Sequence, residues 1–188
     1  VAGDVAIAIG SSGLHSNGYS LARHVAFNIA GHDVHDHISE FDRTLGEELL
    51  EPTKIYAKDI LNLISAIEVH SISHITGGGI AANVARVLPS GLALELNRST
   101  WTPQAIFSWL QARGNISQAE AEKTFNMGIG MLVFVPVSIA QLAITSLQAS
   151  GQSAWVCGQV RKREADEQGD AKAKGGNGGA VTLVSNYK

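Results

Sequence analysis

The stretch Val5-Ala6-Ile7-Ala8-Ile9-Gly10-Ser11-Ser12-Gly13-Leu14-His15-Ser16-Asn17-Gly18-Tyr19-Ser20 carries an apolar run into a turn of small polar residues. Val5 to Ile9 reads as a strand, and Leu21, Val25 and Ile29 recur at the spacing of a helix around Tyr19 to Ala30. A strand therefore delivers a glycine-rich loop to the start of a helix. Such a loop suits an anion, because a helix N-terminus offers unpaired N–H groups and glycine lets a phosphate approach the backbone. The same composition also suits a plain capped turn. His15 and Asn17 favour the anion, since neither is needed for a turn and both can donate hydrogen bonds.

Outward from this loop, Leu49-Leu50-Glu51-Pro52-Thr53 precedes a predicted helix from Lys54 to Ile67, with Ile55, Ile60, Leu63, Ile64 and Ile67 as its apolar stripe. Val69 to Ile75 then reaches Thr76-Gly77-Gly78-Gly79, and Ile80, Val84 and Val87 mark a helix ended by Pro89. Leu92 to Leu96 alternates as a strand, Ile106, Phe107 and Leu110 predict a helix, and Ser117 with Glu120 forms a capping-box pattern. Phe125-Asn126-Met127-Gly128-Ile129-Gly130 enters the strand Met131 to Val135, where glycines indicate a bulge or a close backbone approach. A helix from Ser138 to Ala149 and strands Ala154 to Val160 and Ala180 to Val184 follow. The mixing of elements, without strict alternation, gives an α+β class: a mixed β-sheet covered by helices in layers, in a single domain spanning 1–188. The last two strands read as an antiparallel pair, joined by a mobile charged hairpin loop, Arg161 to Gly179, without hydrophobic anchors.

The 188 residues and 45% hydrophobic content allow one well-buried core. A net charge of -3 with interspersed signs excludes a basic nucleic-acid footprint, and no apolar run approaches the ~20 residues of a bilayer span. Cys157 is the only cysteine, which excludes an intrachain disulfide and a cysteine-rich metal site; it reads as a packed hydrophobe rather than a nucleophile. A soluble protein of the reducing cytoplasm is the expectation. The chain opens at Val1, without a signal-peptide pattern and already in a strand, so a piece of a longer protein is expected. His32, His35 and His37, with Asp33 and Asp36, form either a metal-ligand set or a solvated connection.

The loops Ser11 to Ser20, His74 to Gly79 and Asn126 to Gly130 each sit at a strand end or entry, and together are predicted to wall one phosphate-lined pocket. Four segments carry a resemblance: GDVAIAIGSSGLHSNGYSLAR (Gly3 to Arg23), LLEPTKIY (Leu49 to Tyr56), HITGGGIAANVARVLP (His74 to Pro89) and TFNMGIGM (Thr124 to Met131). In order and spacing they closely resemble the C-terminal half of the aminoimidazole ribonucleotide synthetase family, the phosphoribosylformylglycinamidine cyclo-ligases. The resemblance runs from Gly3 to about Val160. Formylglycinamidine ribonucleotide synthetase, selenophosphate synthetase and thiamine monophosphate kinase share that superfamily's fold but lack the combination of HSNGYS, LEPT and HITGGG.

The resemblance implies ATP-dependent ring closure in purine biosynthesis. ATP would phosphorylate the formyl amide oxygen of formylglycinamidine ribonucleotide, and the amidine nitrogen would close the imidazole, giving aminoimidazole ribonucleotide, ADP and phosphate. Ser12, Gly13, His15, Ser16, Asn17 and Gly18 would hold the substrate phosphate without a mobile Lys or Arg, with His15 binding it or shuttling a proton. Thr76 is the second candidate for a catalytic role; with Gly77, Gly78 and Gly79 it would line the place where the amide meets the γ-phosphate, and Asn126 and Gly128 would shape that pocket. The glycines of both loops also fit plain backbone accommodation. ATP and Mg2+ would be bound mainly by an N-terminal domain that also forms the homodimer and is absent from this chain, so the piece alone is expected to be inactive. Gly31 to Glu48 and Arg161 to Gly179 match no family motif. Two alternatives are another enzyme of the superfamily with a different phosphorylated substrate, and a non-catalytic metal-binding module built on His32, His35 and His37.

Overall fold

A computed structural model describes residues 1–173 and 176–188. In chain order it contains β1 (Asp4–Gly10), α1 (Tyr19–Arg23), β2 (His37–Ile38), β3 (Arg43–Thr44), α2 (Leu45–Leu49), α3 (Ala57–Ala66) and β4 (Ser71–His74). Then come α4 (Gly79–Ala85), β5 (Leu92–Asn97), α5 (Ala105–Gly114), α6 (Gln118–Thr124), β6 (Ile129–Pro136), α7 (Ala140–Ala149), β7 (Ala154–Lys162) and β8 (Ala180–Val184). Six strands form one mixed sheet in the order β4-β6-β1-β7-β5-β8, antiparallel except for the β5–β8 pair.

β1 lies inside that sheet and every one of its residues is buried. The two-residue period of a strand sends Ala6 and Ala8 to one face, against α1, α2, α4, α5 and α6, and Val5, Ile7 and Ile9 to the other, against α3 and α7. The expected single core is therefore two apolar clusters separated by the sheet, in an α+β fold of helix, sheet and helix layers. α3 is shorter than expected, starting at Ala57 because residues 50–56 run without helical structure beside the glycine loop. Its buried stripe is Ile60, Leu63 and Ile67, while Ile55 and Ile64 are exposed. The helix expected over Tyr19 to Ala30 is α1 followed by a π-helical stretch, His24–Ile29. Gly31 to Glu48 holds the short ribbon of β2 and β3, and α2 opens on a capping box between Thr44 and Glu47.

The last two strands are not a pair. β5 lies between them, antiparallel to β7 and parallel to β8, so the connecting segment crosses β5 instead of turning back as a hairpin. β7 runs on to Lys162. The expected mobile loop has anchors: Arg161 donates to the Glu167 carboxylate at 2.6 and 2.9 Å, and Asp170 Oδ2 accepts from the Leu183 N–H at 2.7 Å. Gly179 N–H reaches Leu88 O at 2.7 Å, and Ala171 and Ala173 pack against the core. Lys174 and Gly175 of that loop lie outside the described residues. Cys157 is buried, its thiol reaching Ala6 O at 3.4 Å, and burial pushes its pKa well above the usual thiol range. Among the described residues no helix is long and apolar enough to cross a membrane.

Candidate functional site

The antiparallel pairing of β6 with β1 and β4 brings the C-terminal ends of β1 and β4 to the N-terminal end of β6. All three glycine loops therefore meet at one end of the sheet. Fully buried Asn126 joins the first loop to the third. Its Nδ2 donates to Gly13 O at 2.7 Å, and its Oδ1 accepts from the Ser11 hydroxyl at 3.0 Å and the Gly128 N–H at 2.8 Å. Ser11 N–H donates to Gly128 O at 2.9 Å, and Gln104 Nε2 donates to Ser11 O at 2.7 Å. The second loop is tied to the third by Ile75 N–H on Gly130 O at 2.9 Å, and its Gly77 faces the Asn17 side chain.

A fourth segment, Pro52 to Tyr56, lies along the first loop. The Ser12 hydroxyl donates to Pro52 O at 2.7 Å, the Ser16 and Thr53 hydroxyls are 3.4 Å apart, and Tyr56 donates to Gly10 O at 2.9 Å. Lys54 Nζ lies 3.4 Å from the same Gly10 carbonyl. His15 is only 4% exposed, and its Nε2 accepts from the Ser12 N–H at 2.9 Å, with the Lys54 N–H at 3.4 Å. Because a backbone N–H can only donate, Nε2 is unprotonated and the ring is neutral with its hydrogen on Nδ1. Burial first, then the charges of His74 and Lys54, lower the pKa of His15 to about 4.

The loop is strained where it turns: His15 and Ser16, neither of them glycine, adopt φ of 54° and 60°. Asn17 Nδ2 braces this turn by donating to His15 O at 2.9 Å. Tyr56 sits between His15 and His74, with ring centroids 5.9 and 6.3 Å away. Burial pushes its phenol pKa above the ordinary value. Gly130 is required here, since a Cβ would overlap the Tyr56 hydroxyl and approach His15 Cε1 to 3.0 Å.

Both the N–H and the hydroxyl of Ser12, and Nε2 of His15, are thus engaged within the loop. The N–H groups of Gly13, Ser16 and Gly18 donate to no acceptor among the described residues, and Ser16 is exposed. In the second loop the Thr76 hydroxyl donates to Asn83 Oδ1 at 3.1 Å, and Asn83 Nδ2 donates to Gly79 O at 2.7 Å and Thr76 O at 3.1 Å. Thr76 can accept from a ligand while that bond holds, and buried Asn83 staples Gly77, Gly78 and Gly79 in place.

The sequence pattern alone assigns no role to Lys54, Tyr56, Asn83 or Gln104. Lys54 and Tyr56 fall within the expected helix and Asn83 among the residues of an apolar stripe; the segments LEPTKIY and HITGGGIAANVAR that contain these three are the available signal. The histidine cluster does not converge as a metal site. His32 pairs with Asp36 at 2.9 Å, His37 lies 3.5 Å from Asp42, and no three His, Cys, Asp or Glu side chains among the described residues are arranged to hold a metal ion. His32 and His37 are thus each paired with a different carboxylate, and the metal-module reading is not favoured.

A layered α+β domain with stitched glycine loops at the strand ends is the class this architecture defines. Residues 1–168 match the family described as AIR synthase related protein, C-terminal domain, and the chain belongs to that family. It is 51% identical over 177 residues to a Streptomyces fradiae protein provisionally named phosphoribosylformylglycinamidine cyclo-ligase, covering 94% of this chain and 97% of that one. It is also 46% identical over 159 residues to the phosphoribosylformylglycinamidine cyclo-ligase of Alkaliphilus oremlandii, covering 85% of this chain and 47% of that one. The chain thus spans nearly all of the first relative and about half of the second. The fold recurs in the tt0281 protein of Thermus thermophilus, with a TM-score of 0.57 at 14% identity, covering 100% of this chain and 51% of that one. It recurs in thiamine-monophosphate kinase from Stenotrophomonas maltophilia, with a TM-score of 0.56 at 12% identity, covering 96% and 50%.

Proposed function

We propose that this chain forms the substrate-binding part of a phosphoribosylformylglycinamidine cyclo-ligase, which closes the imidazole ring of aminoimidazole ribonucleotide with consumption of ATP. The observation that carries the reading is the direct stitching of Ser11–Gly13 to Asn126–Gly128 and of Ser12 and His15 to Pro52–Lys54. The segments of the family resemblance are thereby one physical unit. In this proposal the N–H groups of Gly13, Ser16 and Gly18, with the Ser16 hydroxyl and Asn17 amide, hold the ribose phosphate. Ser12 and His15 shape that loop from within. Thr76 and the Gly77–Gly79 turn flank the formyl amide whose oxygen receives the phosphoryl group, and Asn126 and Gly128 fix the wall between the two.

ATP supplies the phosphoryl group that turns the amide oxygen into a leaving group. In this proposal Mg–ATP is held mainly outside this chain, by a domain that also forms the homodimer. In the complete enzyme, Asn17→Ala is expected to raise the KM for formylglycinamidine ribonucleotide far more than that for ATP. Equal effects on both would overturn the phosphate-side role of Asn17. In the same assay the isolated chain is expected to form no aminoimidazole ribonucleotide, and ATP-dependent product from it would overturn the division of labour.

A further inference from the structure

We infer that Lys54 supplies the positive charge facing the anionic group of the ligand at the Gly13–Gly18 loop, and so sets the preference for a phosphorylated over a dephosphorylated ribonucleoside. The inference rests on the proposed function and adds a residue to it.

The loop from Ser11 to Ser20 contains no Lys or Arg. Backbone N–H groups and hydroxyls give a phosphate dianion directional contacts, but no full countercharge. Lys54 reaches the loop from another part of the chain, with Nζ 3.4 Å from Gly10 O, where β1 ends and the loop begins. Its main chain is held over the loop by the Lys54 N–H near His15 Nε2 and by the flanking Ser12–Pro52 and Ser16–Thr53 contacts.

Among the described residues the charge of Lys54 has no anion to meet it. Its Nζ forms no ion pair among the described residues, although Glu51 lies three residues away in sequence. Glu51 is taken by Arg43 at 2.7 Å, and the same guanidinium binds Glu48. Arg43 is neutralised in that pairing and Lys54 is not. The other titratable groups beside it add no compensating charge: His15 is a neutral acceptor, and the Tyr56 hydroxyl donates to Gly10 O. A half-buried ammonium sharing one carbonyl with a tyrosine lacks an anionic partner, next to N–H groups that also lack acceptors. One phosphate ester would meet both needs.

The test titrates the chain, with Lys54→Met and Lys54→Arg, by calorimetry against aminoimidazole ribonucleotide and its riboside. Lys54→Met is expected to weaken ribonucleotide binding about tenfold or more and to leave riboside binding unchanged, with Lys54→Arg close to wild type. Wild-type affinity in Lys54→Met would overturn the assignment of Lys54 while leaving the loop reading standing. An equal loss for riboside and ribonucleotide would also overturn it, because Lys54 would then act by shaping the loop. A wild-type chain that fails to prefer the ribonucleotide would overturn the phosphate cradle itself, before any variant is compared. Unchanged melting temperatures of both variants establish that they fold.

Discussion

At the scale of single residues, Asn126 decides whether the two glycine loops form one surface. It satisfies a hydroxyl, a carbonyl and an N–H that are otherwise shut away from water. Asn126→Ala leaves all three in an apolar setting, and stranded buried groups cost more than a lost bond contributes. The expected destabilisation is about 3 kcal/mol, read from urea unfolding, with weakened ribonucleotide binding. Stability equal to wild type would mean that water replaces the amide and that the loops are held by other contacts. Gly130 belongs to the same arrangement, because its missing side chain is the space that Tyr56 and His15 occupy.

At the scale of elements, the strand β8 shows what local pattern cannot specify. Asp170 is fixed against it from both sides, its N–H donating to Val181 O at 2.8 Å and its carboxylate accepting from Leu183 N–H at 2.7 Å. Asp170→Ala should cost about 1 kcal/mol and speed amide exchange at Leu183 while leaving β1 amides protected. Unaltered exchange along β8 would mean that its pairing with β5 alone holds the strand. Apolar runs such as Ala180 to Val184 reveal that a strand exists, because burial imposes the pattern. They do not reveal that its partner is β5, because the open sheet edge it meets is assembled by residues far away in sequence. The same reasoning covers the site. Its glycine loops are legible because turns and close approaches leave glycines in the chain. Lys54 and Tyr56 read as the start of a helix, and contacts with His15 and Gly10 hold that stretch outside it.

At the scale of the whole molecule, β1 carries a histidine device at each end, and the two respond to acid in opposite directions. At its start, His70 bridges Asp4 and Glu68, both at 2.9 Å, and these carboxylates raise its pKa. That contribution is complete below the unfolded value of 6.5 and is lost as pH rises through the raised value. Beyond its end, burial together with His74 and Lys54 holds His15 neutral down to about 4, against 6.5 when unfolded. Between those limits the unfolded chain binds a proton that the folded chain refuses, so folding stability falls as pH falls. The fall attributable to His15 is about 3 kcal/mol across the full window. His15→Gln keeps an uncharged acceptor and removes this proton. Urea unfolding from neutral pH down to about pH 4 should therefore show the wild type losing its advantage over His15→Gln as the solution is acidified. A constant gap across the window would mean that His15 titrates alike in both states, and that its place inside the loop does not exclude the proton.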